Sequence, residues 1–213
     1  MDSGDLHFFN PFAKTEVTAN RLPHWQQDGA VYFLTIRLAD AVPKHLLDQW
    51  SAEREAWLVH HPKPWSAEVD SEYHRRFSRA MERWLDAGHG SCALRDAGCR
   101  AKLEDTLRHF DGERYAQLNW VIMPNHVHAL FVLNQACALE KVVQAWKRRS
   151  AREINLVLER NGTFWQKDYF DRLVRDEQHL ANCVRYIRRN PVKAKLHEDE
   201  YTLYESEMVR GIL

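Results

Sequence analysis

The sequence predicts a mixed α/β (α+β) fold built on a βαββαβ sheet, with helices on one face and a helical insertion after the first strand. Three observations predict it. Runs rich in β-branched and aromatic residues occur at 30–38, 113–122 and 126–133, and 163–174 offers a fourth, extended stretch. Helical spacing occupies 43–61, 67–87, 96–110, 139–160 and 176–189. The order strand, helices, strand, strand, helix, strand, helix then matches the ferredoxin-like arrangement.

Each element has a local reason. Ala30-Val31-Tyr32-Phe33-Leu34-Thr35-Ile36 is a strand by composition. Pro43 opens the next helix, where Leu46, Leu47, Trp50, Trp57 and Leu58 recur at helical spacing. His61-Pro62-Lys63-Pro64-Trp65 breaks it. Gly88-His89-Gly90-Ser91 separates the helices 67–87 and 96–110, and Asp111-Gly112 introduces the strand 113–122. Met123-Pro124-Asn125 ends that strand, and 126–133 follows, apolar on both sides apart from two histidines. A basic helix over 139–160 stops before Asn161-Gly162, and Asn190-Pro191 closes the helix 176–189. Residues 1–24 lack periodicity and are expected to form an extended arm. The region 41–111 exceeds a single crossover, so part of it is an embellishment, and an acidic tail begins at about 196.

Composition excludes several classes. The 213 residues suffice for one domain, 1–213, with its own core. With 45% hydrophobic and 28% charged residues, the chain is neither disordered nor collagen-like. No apolar run approaches a membrane span, and the N-terminus has no signal-like core, so a cytoplasmic, membrane-free protein is expected. Cys92, Cys99, Cys137 and Cys183 lie 7, 38 and 46 residues apart, without metal-knuckle spacing. The zero net charge conceals segregation. Residues 141–195 carry 14 Lys and Arg against 6 Asp and Glu, an excess of +8 balanced by the rest of the chain. Such a basic segment suits phosphate contact or a solvated helix face.

Four features carry chemistry. His126 and His128 alternate onto one face of their strand, where buried imidazoles need partners. A shared metal is one solution, and bonds to backbone or carboxylates are another. Tyr186 and Asn190 are i and i+4 beside the apolar stripe of Leu180, Cys183, Val184 and Ile187. A phenol and an amide there can meet a metal, or serve as a core tyrosine and a helix-ending Asn. Third, the run Phe164-Trp165-Gln166-Lys167-Asp168-Tyr169-Phe170-Asp171-Arg172 interleaves aromatics with cations, as for stacking single-stranded bases or for a half-buried edge strand. Fourth, Lys141, Lys147, Arg148, Arg149, Arg152 and Arg160 make one helix basic, able to follow a phosphate backbone.

Taken together these strings resemble a known family. Trp120-Val121-Ile122-Met123-Pro124-Asn125-His126-Val127-His128 is similar to the histidine–hydrophobic–histidine motif of single-tyrosine HUH transposases. Trp165-Gln166, Tyr169-Phe170-Asp171-Arg172 and Tyr186-Ile187-Arg188-Arg189-Asn190-Pro191-Val192 resemble its REP-associated tyrosine transposase branch. Leu22-Pro23-His24-Trp25 and His109-Phe110-Asp111-Gly112-Glu113-Arg114-Tyr115 are similar to a longer subgroup, and the resemblance spans roughly 22–195.

The resemblance implies a divalent metal, Mg²⁺ or Mn²⁺, held by His126, His128 and Asn190. It makes Tyr186 the nucleophile, with Tyr169 as the rival tyrosine. The implied reaction is metal-dependent cleavage and rejoining of single-stranded DNA at REP-type hairpins through a 5′-phosphotyrosine intermediate. The expected DNA-contacting residues are Lys147, Arg148, Arg149, Arg152, Trp165, Arg172, Arg188 and Arg189. The implied assembly is a monomer or a homodimer. Two alternatives are a hairpin-binding module that no longer cuts, and a zinc hydrolase using the histidine pair.

Overall fold

The structure, a computed structural model, describes residues 6–19, 23–62 and 65–212. Its elements in chain order begin with a hairpin of β1 (Glu16–Ala19) and β2 (Pro23–Gln26). Then come β3 (Val31–Arg37), α1 (Lys44–His60), α2 (Ala67–Tyr73), a π-helical turn at His74–Ser78 and α3 (Arg79–Asp86). The core continues through α4 (Ala97–Arg108), β4 (Tyr115–Ile122), β5 (His126–Leu133), α5 (Leu139–Val157), β6 (Phe170–Leu173) and α6 (Glu177–Lys193). It closes with β7 (Thr202–Glu205) and α7 (Glu207–Arg210).

Five strands form one antiparallel sheet in the order β6-β3-β5-β4-β7. Without β7, this is the strand order of the expected βαββαβ core, so the α+β class is as the sequence predicts. Every residue of β5 is buried. Its alternate side chains therefore need two separate covers. Val127, Ala129, Phe131 and Leu133 join Tyr32, Leu34 and Ile36 in a core closed by α4 and α5 through Leu103, Leu107, Val143 and Trp146. Leu130 and Val132 join Val31 and Phe33 in a second core, closed by Leu180, Val184 and Ile187 of α6. The crossover helices α4 and α5 lie on one face, as expected of the βαββαβ core, and α6, after its last strand, lies on the other. Two apolar faces cannot both be buried by one helical layer, and α6 takes the second.

Other boundaries also shift. α6 does not end at Asn190-Pro191 but continues to Lys193. Pro191 sits in its last turn, where the missing N–H forfeits one bond, and Ala194 N–H still donates to the Asn190 carbonyl at 3.0 Å. The extended stretch 163–174 shrinks to β6, paired to β3 from Tyr32↔Leu173 to Thr35↔Phe170. The arm is partly a hairpin, although residues 1–5 and 20–22, including Leu22 of the Leu22-Pro23-His24-Trp25 string, lie outside the described residues. The tail supplies β7, which pairs with β4 from Asn119↔Glu205 to Ile122↔Thr202.

Within 41–111, α4 is the crossover helix, and the embellishment is the stretch from α1 to α3. Trp57, Trp65, Tyr73 and Phe77 give it an aromatic cluster of its own, with ring centroids 4.7–5.8 Å apart. α3 reaches both layers. Met81 and Leu85 enter the first core, while Lys193 of α6 pairs with Glu82 at 3.4 Å and Asp86 at 2.9 Å.

Candidate functional site

The histidine pair follows from strand geometry. In the β3–β5 register, Thr35 faces His128 and Arg37 faces His126, all on the α6 side of the sheet. His126 and His128 are 1% and 3% exposed, with their Nε2 atoms 3.1 Å apart. Asn125 Nδ2 donates to the Leu85 carbonyl at 3.0 Å, which turns Oδ1 toward His126. That oxygen accepts from His126 Nδ1–H at 2.7 Å and leaves the Nε2 lone pair exposed to the pair's interior. His128 Nδ1 lies 2.8 Å from Thr35 Oγ1. A hydroxyl both donates and accepts, so Thr35 supports either tautomer of His128. One tautomer lets His128 donate to His126, and the other offers a second lone pair.

Electrostatics keep both rings neutral. Burial, reinforced by Arg37 and Lys193, pushes the His126 pKa down to about 3. Burial and the adjacent His126 hold His128 well below the usual imidazole value. Neutral imidazoles with Nδ1 anchored by neighbouring oxygens suit metal ligation. Two nitrogens sharing one ion at about 2.1 Å stand about 3.0–3.4 Å apart, so the observed 3.1 Å fits. Among the described residues, no third His, Cys, Asp or Glu joins the pair into a ligand group.

α6 brings Tyr186 to the same place. Its ring lies 5.1 Å from the His128 ring, edge-on, and 5.7 Å from Phe33. Asn190, 4% exposed, donates from Nδ2 to the Tyr186 carbonyl at 3.0 Å. Burial and the nearby Glu82 raise the phenol pKa, while the Asn190 amide opposes that rise. The phenol is thus held protonated, and it becomes a useful nucleophile only when positive charge arrives beside it. A cleft opens over it, lined by Tyr186, Asn190, Asn182, Arg185, Arg189, Lys193 and Glu82. Arg185, Lys193 and Glu82 of this lining, with Thr35 and Asn125 behind the imidazoles, were not singled out by the motifs. Spacing on α6 signals Arg185 and Lys193, which flank Arg189 by one helical turn on either side. Nothing local signals Glu82.

The expected DNA-contacting set divides. Arg148, Arg149 and Arg152 are exposed on α5, which lies on the sheet face opposite the cleft. Arg189 is exposed at the cleft itself. The remaining four are engaged in contacts within the chain. Trp165 is 4% exposed and donates from its indole to Ser150 Oγ at 2.9 Å, so its ring is unavailable for base stacking. Lys147 Nζ donates to the carbonyls of Gln166 and Lys167 at 2.6 and 2.7 Å. Arg172 turns onto His74 of the insertion, 3.0 Å from Nε2. Arg188 is committed to Glu205 at 2.6 Å and to the carbonyls of Val209, Arg210 and Ile212. Arg188→Ala is therefore expected to lower stability by about 1–3 kcal/mol in urea unfolding. Changing Arg148 and Arg149 together to Ala is expected to stay within about 0.5 kcal/mol of the parent. Equal losses would overturn this division.

Comparisons with known proteins find similarities to transposases. Residues 94–190 match the family model described as "Transposase IS200 like", and His126, His128, Tyr186 and Asn190 all fall inside that span. A protein of Haemophilus influenzae designated a REP-associated tyrosine transposase is 30% identical over 104 residues, 44% of this chain and 57% of the relative. The match therefore spans little more than half of that relative's length. Among solved structures, a REP-associated tyrosine transposase bound to a REP hairpin superposes with a TM-score of 0.42 and 15% identity, over 78% of this chain and 69% of the other. A Deinococcus radiodurans structure described as a transposase gives a TM-score of 0.35 and 15% identity, over 87% and 98%. The resemblance carried by the sequence motifs is thus also found by comparison. Among the described residues, no helix is long and apolar enough to cross a membrane.

Proposed function

With residues 94–190 matching the IS200-like transposases, we propose that this chain cleaves and rejoins single-stranded DNA beside REP-type hairpins, with Tyr186 as nucleophile. The observation that carries the reading is the meeting of Tyr186 with the neutral His126–His128 pair on one face of the sheet. Tyr186 Oη attacks the scissile phosphorus in line, giving a 5′-phosphotyrosine and a free 3′-hydroxyl. Attack by another 3′-hydroxyl reverses the step and restores the phenol, so no nucleotide cofactor is consumed. His126, His128 and Asn190 would hold Mg²⁺ or Mn²⁺, which withdraws charge from the phosphate oxygens when bound. The imidazoles and the amide bring no negative charge of their own to such an ion. Arg189, at the cleft, offers a cation to the flanking phosphates.

The test is incubation of the protein with a labelled single-stranded hairpin and Mn²⁺. A protein–DNA adduct that survives denaturation is expected, and chelation should abolish it. One observation favours a second reading, a hairpin-binding module that does not cut: the phenol is held protonated by burial and Glu82. Hairpin binding with no adduct at any Mn²⁺ concentration would select that reading. A zinc hydrolase is disfavoured, since catalytic zinc takes three protein ligands of His, Cys or carboxylate type.

A further inference from the structure

Arg37 ends β3 directly across from His126, and by strand alternation it shares the face of Thr35, His126 and His128. Its Nε is buried and has no hydrogen-bond partner. Among the described residues it forms no ion pair. The contrast with other arginines is sharp. Arg188 spends its donors on carbonyls and a carboxylate of the tail, and Arg100 on the Leu94 and Arg95 carbonyls and on Asp199 and Thr202 of the tail. Arg37 does not.

Arg37 is only partly exposed, and a cation shielded from water without an ion pair is unusual, since such groups are usually paired. Tyr186, Tyr73 and Asp168 lie near enough to sense its charge, and with burial pushing its pKa down to about 10 it remains cationic at neutral pH. The planar guanidinium presents a fork of N–H donors that matches two oxygens of a phosphate.

We propose that Arg37 is a catalytic residue that grips the non-bridging oxygens of the scissile phosphodiester, beside the histidine pair and in front of Tyr186. The proposal deepens the strand-cleavage reading and rests on it. As phosphorus becomes five-coordinate, charge accumulates on those oxygens, and a fixed guanidinium counters it without reorganising. Its backbone is braced for this, since Arg37 O accepts from Gln166 N–H at 2.9 Å and Leu38 N–H donates to the Asn125 carbonyl at 2.9 Å.

Three measurements on the full chain test it. In single-turnover reactions with the hairpin and Mn²⁺, Arg37→Gln is expected to slow adduct formation about 10²–10³-fold, with Arg37→Lys recovering part of the rate and hairpin affinity little changed. Separately, inorganic phosphate added to metal-free protein should shift the imidazole NMR resonances of His126 and His128, and Arg37→Gln should remove that shift. Arg37→Met guards against a folding artefact. Removing a partly buried charge that has no ion pair should leave the melting temperature equal or higher, whereas a structural ion-pair role would lower it. Wild-type adduct rates in Arg37→Gln, an unchanged phosphate response, or a lowered melting temperature in Arg37→Met would each overturn the assignment. If the wild type forms no adduct yet binds phosphate through Arg37, the cleavage reading fails while the anion site stands.

Discussion

Tyr186→Phe is expected to fold like the parent and to lose the covalent DNA adduct entirely, a drop of at least ~10³-fold in cleavage. The change deletes one oxygen. The ring's contacts with His128 and Phe33 remain, so the packing of α6 on the sheet is preserved. The rival, Tyr169, is placed quite differently. It is 6% exposed, stacks on His24 at 4.1 Å, and its hydroxyl is buried without a partner. His24 in turn pairs with the buried Asp171, closing that corner to solvent. Tyr169→Phe should therefore retain the adduct and cost no stability, because it removes an unsatisfied polar atom. Denaturing gels of both variants with labelled hairpin decide the matter. Loss of the adduct in Tyr169→Phe and survival in Tyr186→Phe would reverse the roles.

Acid is expected to unfold the protein earlier than its carboxylates alone would dictate. Burial depresses His126 to about 3 and His179 to about 4, and holds His128 well below the ordinary value of about 6.5. Between those limits the unfolded chain binds protons that the folded chain refuses. Stability therefore rises with pH through this window and is lost as pH falls from about 6.5 toward 4. Three such groups together contribute on the order of several kcal/mol. Carboxylates held low in the fold, such as the helix-capping Asp96, act at lower pH, below their ordinary value of about 4. Urea midpoints at pH 7 and pH 5 should consequently differ strongly. A flat profile across that interval would show that the imidazoles are hydrated.

Much of the core was legible because local pattern and burial agree. β5 begins at His126 and ends at Leu133 as its apolar run implies, and the shared face of the two histidines follows from alternation alone. The i, i+4 relation of Tyr186 and Asn190 survives because α6 runs unbroken through both. What escaped depends on distant partners. Trp165 looks alike in sequence whether it faces bases or Ser150, which precedes it by 15 residues. Arg188 reads as a surface cation until the carbonyls beyond residue 208 come round to it. Arg37, a charge closing an apolar strand, gives no sign of whether that end of the strand meets solvent or a protein wall. The strand β7 is four residues long and only partly buried, too little for a compositional signal.

That short strand has a consequence for solubility. β7 covers the outer edge of β4, and without it the N–H and C=O groups of Asn119–Ile122 would present a row of open pairing sites. The same tail supplies acceptors to two arginines rooted in the core. Arg100 of α4 binds the Asp199 carbonyl and Thr202 Oγ1, and Arg188 of α6 binds Glu205 and the α7 carbonyls. A chain cut after residue 197 would keep its histidines, its tyrosine and most of both cores, yet it would carry a sticky edge, an orphaned Arg188 guanidinium and an Arg100 left with only the Leu94 and Arg95 carbonyls. Its expected failure is self-association through strand pairing, seen as early elution on size exclusion and loss to the pellet, with helical circular dichroism largely retained. A fully monodisperse truncated chain would contradict this expected role of the tail in covering the β4 edge.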